Sequence, residues 1–161
     1  MTIVHNVEGV NPAIPIPPGV KFVTPKYRIT NDTSLELEQL EAFLNLHSNV
    51  IYLSFGDSKL IPADLIENME DYIYSQEEYA LIINVVNEKE LDHKLLLKAK
   101  NSKNIMIIST ICDSMILSYE HVRLYVTNGD KQSVLSSYEN AKPLIILPYS
   151  HHINVHFCQH V

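Results

Sequence analysis

Glycine is scarce in this chain, with four among 161 residues. A phosphate-cradling P-loop and a Gly-rich dinucleotide fingerprint both need clustered glycines, so both are excluded. Cysteine is scarcer: Cys112 and Cys158 make no zinc or redox spacing and no disulfide framework. No apolar stretch approaches the roughly 18 residues that a membrane span needs. Basic runs are missing too, and 12 Lys+Arg against 19 Asp+Glu leave a formal charge of −7. Such a balance argues against a general binder of nucleic acid or of anionic membranes. The opening MTIVHNVEGV has neither a charged n-region nor an apolar h-region. The expectation is therefore no signal peptide and a reducing, cytoplasmic compartment. What remains is 46% hydrophobic residues, enough for a core without staples in one domain or one lobe of a two-lobed protein.

Residues 1–34 predict a Pro-rich extended arm or interdomain linker, because Pro12, Pro15, Pro17, Pro18 and Pro25 each fix φ and remove a donor. Asn31-Asp32-Thr33-Ser34 are all helix-capping types, and Leu35, Leu37, Leu40, Phe43, Leu44 and Leu46 follow at helical spacing, so 34–46 predicts an amphipathic helix. From residue 49 apolar runs alternate with helical patterns. NVIYLSF (49–55), ALIINVV (80–86), NIMIIS (104–109), RLYVT (123–127) and PLIIL (143–147) predict five strands. Helices are expected from Pro62, over 88–100, 113–119 and 131–141, and finally over 151–160. Short, continuously apolar strands alternating with helices predict an α/β domain over 35–161, built on a doubly wound parallel sheet of about five strands. Ligands of such sheets bind outside the carboxyl ends of the strands, after 55, 86, 109, 127 and 147.

Three of those strand ends, with their flanks, carry a resemblance: NVIYLSFGDS (49–58), the span from Asn104 to Gly129, and NGDKQSVLSSYENAKPLIILP (128–148). In order and spacing they resemble the carboxy-terminal, donor-binding half of the UDP-glycosyltransferases, of the glucosyl and glucuronosyl type, nearest to insect and insect-virus members. IPIPPGVKF and SLELEQLEAFLN resemble that family's interdomain segment. The likeness implies the Rossmann-like lobe of a GT-B glycosyltransferase.

Counted without a gap from Asn128, the family's signature falls on Gly129, Asp130, Ser133, Ser136-Ser137, Pro143, Pro148 and His152-Ile153. The glycine, the serine and both prolines are kept, whereas the family's His, second Gly, Glu-Ala and Asp-Gln are replaced. Upstream, the stacking Trp falls on Thr110, which has no π-face for uracil. The Glu that accepts ribose hydroxyls falls on Ser136, a shorter neutral group, with Glu139 one helical turn further on. The resemblance then implies a site in which Asn128, Gly129, Gln132 and Ser133 hold the diphosphate at a helix N-terminus. Gly56 allows its close approach, Thr110 and Ser136 flank the nucleoside, and His152 lies near the sugar. Asp130 places a carboxylate in the same spot and opposes the diphosphate. The first residues already match the linker and the last match the helix after the fifth strand. The expectation is thus a degenerate, truncated member, without the lobe whose His–Asp pair supplies the family's base.

His152, His156 and His160 share a helical face beside His151 and Cys158, as a zinc or copper site would require. A solvated helix end with histidines near the negative dipole is the plainer reading, and no metal is expected. Cys112 is expected as a buried small hydrophobe. Asp113, Glu120, Asp64 and Glu67 have no partner in sequence that marks acid–base work. Tyr72, Tyr74, Tyr79, Tyr119, Tyr125, Tyr138 and Tyr149 are expected to pack the sheet. Asn31-Asp32-Thr33 is a glycosylation sequon, silent without secretion.

Two functions follow. In one, the chain resembles an enzyme moving a hexose from a UDP-sugar to a hydroxyl of a small lipophilic acceptor, with no cofactor, and is inactive alone. In the other it is a non-catalytic remnant serving as a binding or interaction module. The partners implied are a weakly held UDP-sugar and an acceptor-binding lobe or second copy, with no nucleic acid and no membrane span.

Overall fold

Two short strands, β1 (Thr2–His5) and β2 (Val20–Val23), pair in parallel, Thr2 opposite Val20 and His5 opposite Val23. They lie in the segment where proline spacing predicts an extended arm. Their Val, Ile and Thr residues suit a pleated backbone, and the extended chain finds a partner within the arm itself. The structure, a computed structural model, describes residues 2–5, 20–23, 35–55, 63–75, 78–85, 93–109 and 111–147. The capping run 31–34 and the predicted helix 151–160 lie outside these residues.

The main sheet is built from the five apolar runs. β3 (Val50–Ser54), β4 (Ala80–Asn84), β5 (Ile105–Ile108), β6 (Val122–Thr127) and β7 (Leu144–Ile146) all run parallel, in the order β5-β4-β3-β6-β7. Between them lie α2 (Ala63–Ser75), α3 (His93–Asn101), α4 (Asp113–Ser118) and α5 (Lys131–Glu139), while α1 (Leu35–Leu46) precedes the sheet. The predicted α/β class, strand number and parallel sense hold. Four of the strands are two residues shorter than expected, as where ladder bonds end before apolar character does, while β6 starts one residue earlier, at Val122.

The central strands β3 and β4 are buried on both faces because their alternate side chains enter two cores, whereas the edge strand β7 leaves Ile145 exposed. Ile51, Leu53, Leu81 and Ile83 pack with Ile73 of α2 and Ala99 of α3. Val50, Tyr52, Ile82 and Tyr125 pack with Leu40 and Leu44 of α1 and with Ile116 and Leu117 of α4. Each fully buried Leu or Ile contributes about 1.5–3 kcal/mol of transfer free energy, so the sheet stands on these two layers. The chain enters at β3 in the middle, winds outward through β4 to β5, then returns to the other side for β6 and β7. The order reverses between β3 and β6, the point at which sheets of this kind form a ligand crevice at the carboxyl ends of the strands.

Two expectations change. Cys112 is exposed rather than buried, because it sits at the N-cap of α4, outside both apolar layers, and its side chain makes no capping bond. Tyr72 and Tyr138 are exposed on helix surfaces instead of packing the sheet, while Tyr125 is fully buried in it.

Candidate functional site at the β3–β6 crevice

Asn128 follows the last residue of β6 and is 6% exposed. Its Nδ2 donates to the carbonyl of Phe55 at 3.2 Å, tying together the ends of β3 and β6. Its Oδ1 accepts from the Asp130 amide and the Thr127 hydroxyl, both at 3.3 Å. Gly129 turns the chain with φ +82, a left-handed conformation. A Cβ there would stand 2.4 Å from Cγ2 of Ile146, so glycine is also what lets this turn approach β7.

Asp130 is the N-cap of α5. Its Oδ1 accepts from the amides of Gln132 at 2.9 Å and Ser133 at 3.0 Å, and its Oδ2 accepts from the Ser133 hydroxyl at 2.6 Å. The first-turn amides that an anion would use are therefore already held by the chain's own carboxylate. The resemblance implies that Gln132 and Ser133 hold a diphosphate; in the structure their amides donate to Asp130. Ser136 is 2% exposed, buried on α5. Glu139 is exposed at the opposite end of the helix. Asn128, Gly129, Gln132, Ser133 and Ser136 are thus gathered on one turn and helix, while Gly56, Thr110 and His152 lie outside the described residues.

Sequence reasoning missed a second polar group beneath the same crevice. The Asp113 carboxylate, on the first residue of α4, accepts from Tyr52 Oη and Asn84 Nδ2 at Oδ1, the latter at 2.9 Å, and from Tyr125 Oη at Oδ2, at 3.0 Å. Asn84 also donates to Tyr52 Oη at 2.8 Å and to the Ile111 carbonyl at 3.4 Å. The Tyr52 and Tyr125 rings stack, with centroids 5.1 Å apart and planes 17° off parallel. Burial, and after it the Asp113 charge, holds both phenols above the ordinary tyrosine value. The usable signal was three hydrogen-bonding side chains at core-facing positions of otherwise apolar strands, each of which needs a buried partner. Among the described residues no group of three or more His, Cys, Asp or Glu side chains is arranged to hold a metal ion.

No protein-family model and no curated protein matches the sequence. Solved glycosyltransferase structures do match the fold. A UDP-glucose: anthocyanidin 3-O-glucosyltransferase in complex with UDP aligns with TM-score 0.61 at 18% identity, over 81% of this chain and 30% of that one. The glycotransferase of kitacinnamycin gives 0.59 at 10% identity, over 84% and 32%. A UDP-glucosyltransferase from Polygonum tinctorium capable of glucosylating indoxyl gives 0.58 at 18% identity, over 91% and 34%. The fold is therefore the Rossmann-like α/β architecture found in GT-B glycosyltransferases. The chain spans about a third of the length of these structures.

Among the described residues no helix is long and apolar enough to cross a membrane.

Proposed function

We propose that this chain is the donor-side lobe of a UDP-sugar-dependent hexosyltransferase, of the insect or insect-virus type, whose diphosphate seat is filled from within by Asp130. One observation carries the reading: the Asn128–Gly129–Asp130 turn leads from β6 into the N-terminus of α5, at the reversal of the sheet order. Doubly wound sheets take ligands there, and a helix N-terminus there attracts phosphate. In this reading Asn128 and Gly129 lie against the diphosphate, Gly56 permits its approach, Thr110 sits beside the base, and His152 stands near the sugar. The reaction breaks the bond from the sugar's anomeric carbon to UDP, forms one to a hydroxyl oxygen of a small lipophilic acceptor with inversion, and passes the hydroxyl proton to a base. The acceptor-side lobe completes the site, and no cofactor enters.

The lost uracil stacking weakens the donor by about 1–3 kcal/mol, by analogy with stacking platforms. A missing charged ribose acceptor adds about 1.5–3 kcal/mol. From a donor bound at roughly tens of micromolar, those losses leave UDP no tighter than about 1 mM, at tenfold per 1.4 kcal/mol. Calorimetric titration with UDP and UDP-glucose tests this. Binding well below that concentration, or turnover of labelled UDP-glucose onto any lipophilic alcohol by the 161-residue chain, overturns the filled seat.

The capture of both α5 amides by Asp130 also favours a second reading, a non-catalytic binding or interaction module. Asp130→Gly separates the two: tighter UDP binding supports the donor lobe, and unchanged binding supports the module.

A further inference from the structure

We propose that Asp113 is a positioning residue: through Tyr52, Asn84 and Tyr125 it clamps the connection between β5 and α4, the wall of the crevice on which a nucleobase would rest. That last clause depends on the donor-lobe reading; the clamp itself does not. The three donors come from β3, β4 and β6, so one carboxylate reaches across three adjacent strands and both sides of the reversal. Asn84 adds a bond to the carbonyl of Ile111, inside the connection. The other end of the connection is held as well, where the Ser109 amide donates to Glu36 Oε1 of α1 at 2.7 Å. Two carboxylates thus hold the described ends of the connection, Glu36 at Ser109 and Asp113 at the start of α4.

An apolar side chain in the place of Asp113 would leave the Tyr52, Asn84 and Tyr125 donors without their carboxylate acceptor, which costs stability. Nor could it select one geometry. Three directed bonds to the carboxylate leave the start of α4 a single position relative to the sheet, and the stacked rings keep two of the donors in place. The same carboxylate lies in the first turn of α4, where the helix dipole favours it.

Amide hydrogen exchange by NMR on Asp113→Leu and Asp113→Asn tests the clamp. The Ser109 amide, bonded to Glu36, and the Met115 amide, bonded to the Cys112 carbonyl, report on the two ends. In Asp113→Leu both are expected to exchange at least tenfold faster, while Leu81 and Val85 in and beside β4 keep their rates. Asp113→Asn, which retains an acceptor, is expected to fall between. Unchanged rates at Ser109 and Met115, or an equal acceleration of all four amides, overturn the proposal. If Asp113→Leu does not fold, Tyr125→Phe keeps the stacked ring and removes one donor. It is expected to loosen the same two amides, and no loosening there overturns the clamp. UDP titration in an Asp130→Gly background reads the dependent clause. Asp113→Leu is expected to weaken UDP about tenfold. Equal affinity removes the nucleobase role, and failure of Asp130→Gly to bind UDP removes the donor reading. In both cases the clamp is judged on exchange alone.

Discussion

The side-chain amide of Asn128 donates across 3.2 Å to the backbone carbonyl of Phe55, joining the two strand ends between which the sheet reverses. Neither residue is near the other in sequence, and the bond is buried. Removing it leaves the Phe55 carbonyl, the Thr127 hydroxyl and the Asp130 amide each short of a partner. Asn128→Ala is therefore expected to destabilise the fold by about 1–3 kcal/mol, the cost of buried groups left unsatisfied. Urea unfolding would show this as a lowered midpoint at an unchanged slope.

Gly129 faces two penalties on substitution. Its φ of +82 disfavours any side chain, and a Cβ would meet Ile146 at 2.4 Å. Gly129→Ala is expected to cost more than the ~1 kcal/mol of a strained backbone alone, because the Ile146 side chain must also move. A melting temperature within a degree of the parent would contradict this.

Asp130 combines a cap with a charge, and the two separate by substitution. Asp130→Asn keeps a good capping residue and removes the charge, whereas Asp130→Gly opens the seat at a cost of only a few tenths of a kcal/mol in capping. Both are expected to tighten UDP, Asp130→Gly more so. Calorimetry and thermal melts on the pair would resolve charge from occupancy.

Tyr52 and Tyr125 both have raised values, from burial first and then from Asp113. The native state thus keeps two protons that the unfolded chain releases near pH 10, the ordinary tyrosine value. Their contribution to stability is complete below that pH and is lost as pH climbs toward the folded values. Urea midpoints are expected to fall steadily above pH 10, with the absorbance of two tyrosinates appearing only on unfolding. A midpoint flat through this range would refute the burial of both hydroxyls.

The sheet was legible because its central strands are buried on both faces and so are written as short, mostly apolar runs such as ALIINVV. The β6–α5 turn was legible from Asn128-Gly129-Asp130, with Asp130 read only as a charge. Its bonds to Gln132 and Ser133 follow from N-cap chemistry that the sequence also contains. Asp113 was not legible, because its partners lie 12, 29 and 61 residues away and meet only once the strands are ordered. The pairing of β1 with β2 was hidden because proline spacing reports extended backbone, not what that backbone bonds to. The register shift between Val50 and Ile51 against β6 depends on how two distant strands settle together, which no local pattern encodes.

The central place of β3 has a consequence during synthesis. Val50 is bonded toward Ala80 on one edge and toward Val122 on the other. A nascent chain that has emerged only as far as β5 can assemble three strands, but Val50–Ser54, every residue of which is buried in the finished sheet, then presents an open edge. That edge is a template for pairing with another chain until β6 arrives to cover it. The residues that most define the finished sheet are thus the ones most in need of protection while it is being made.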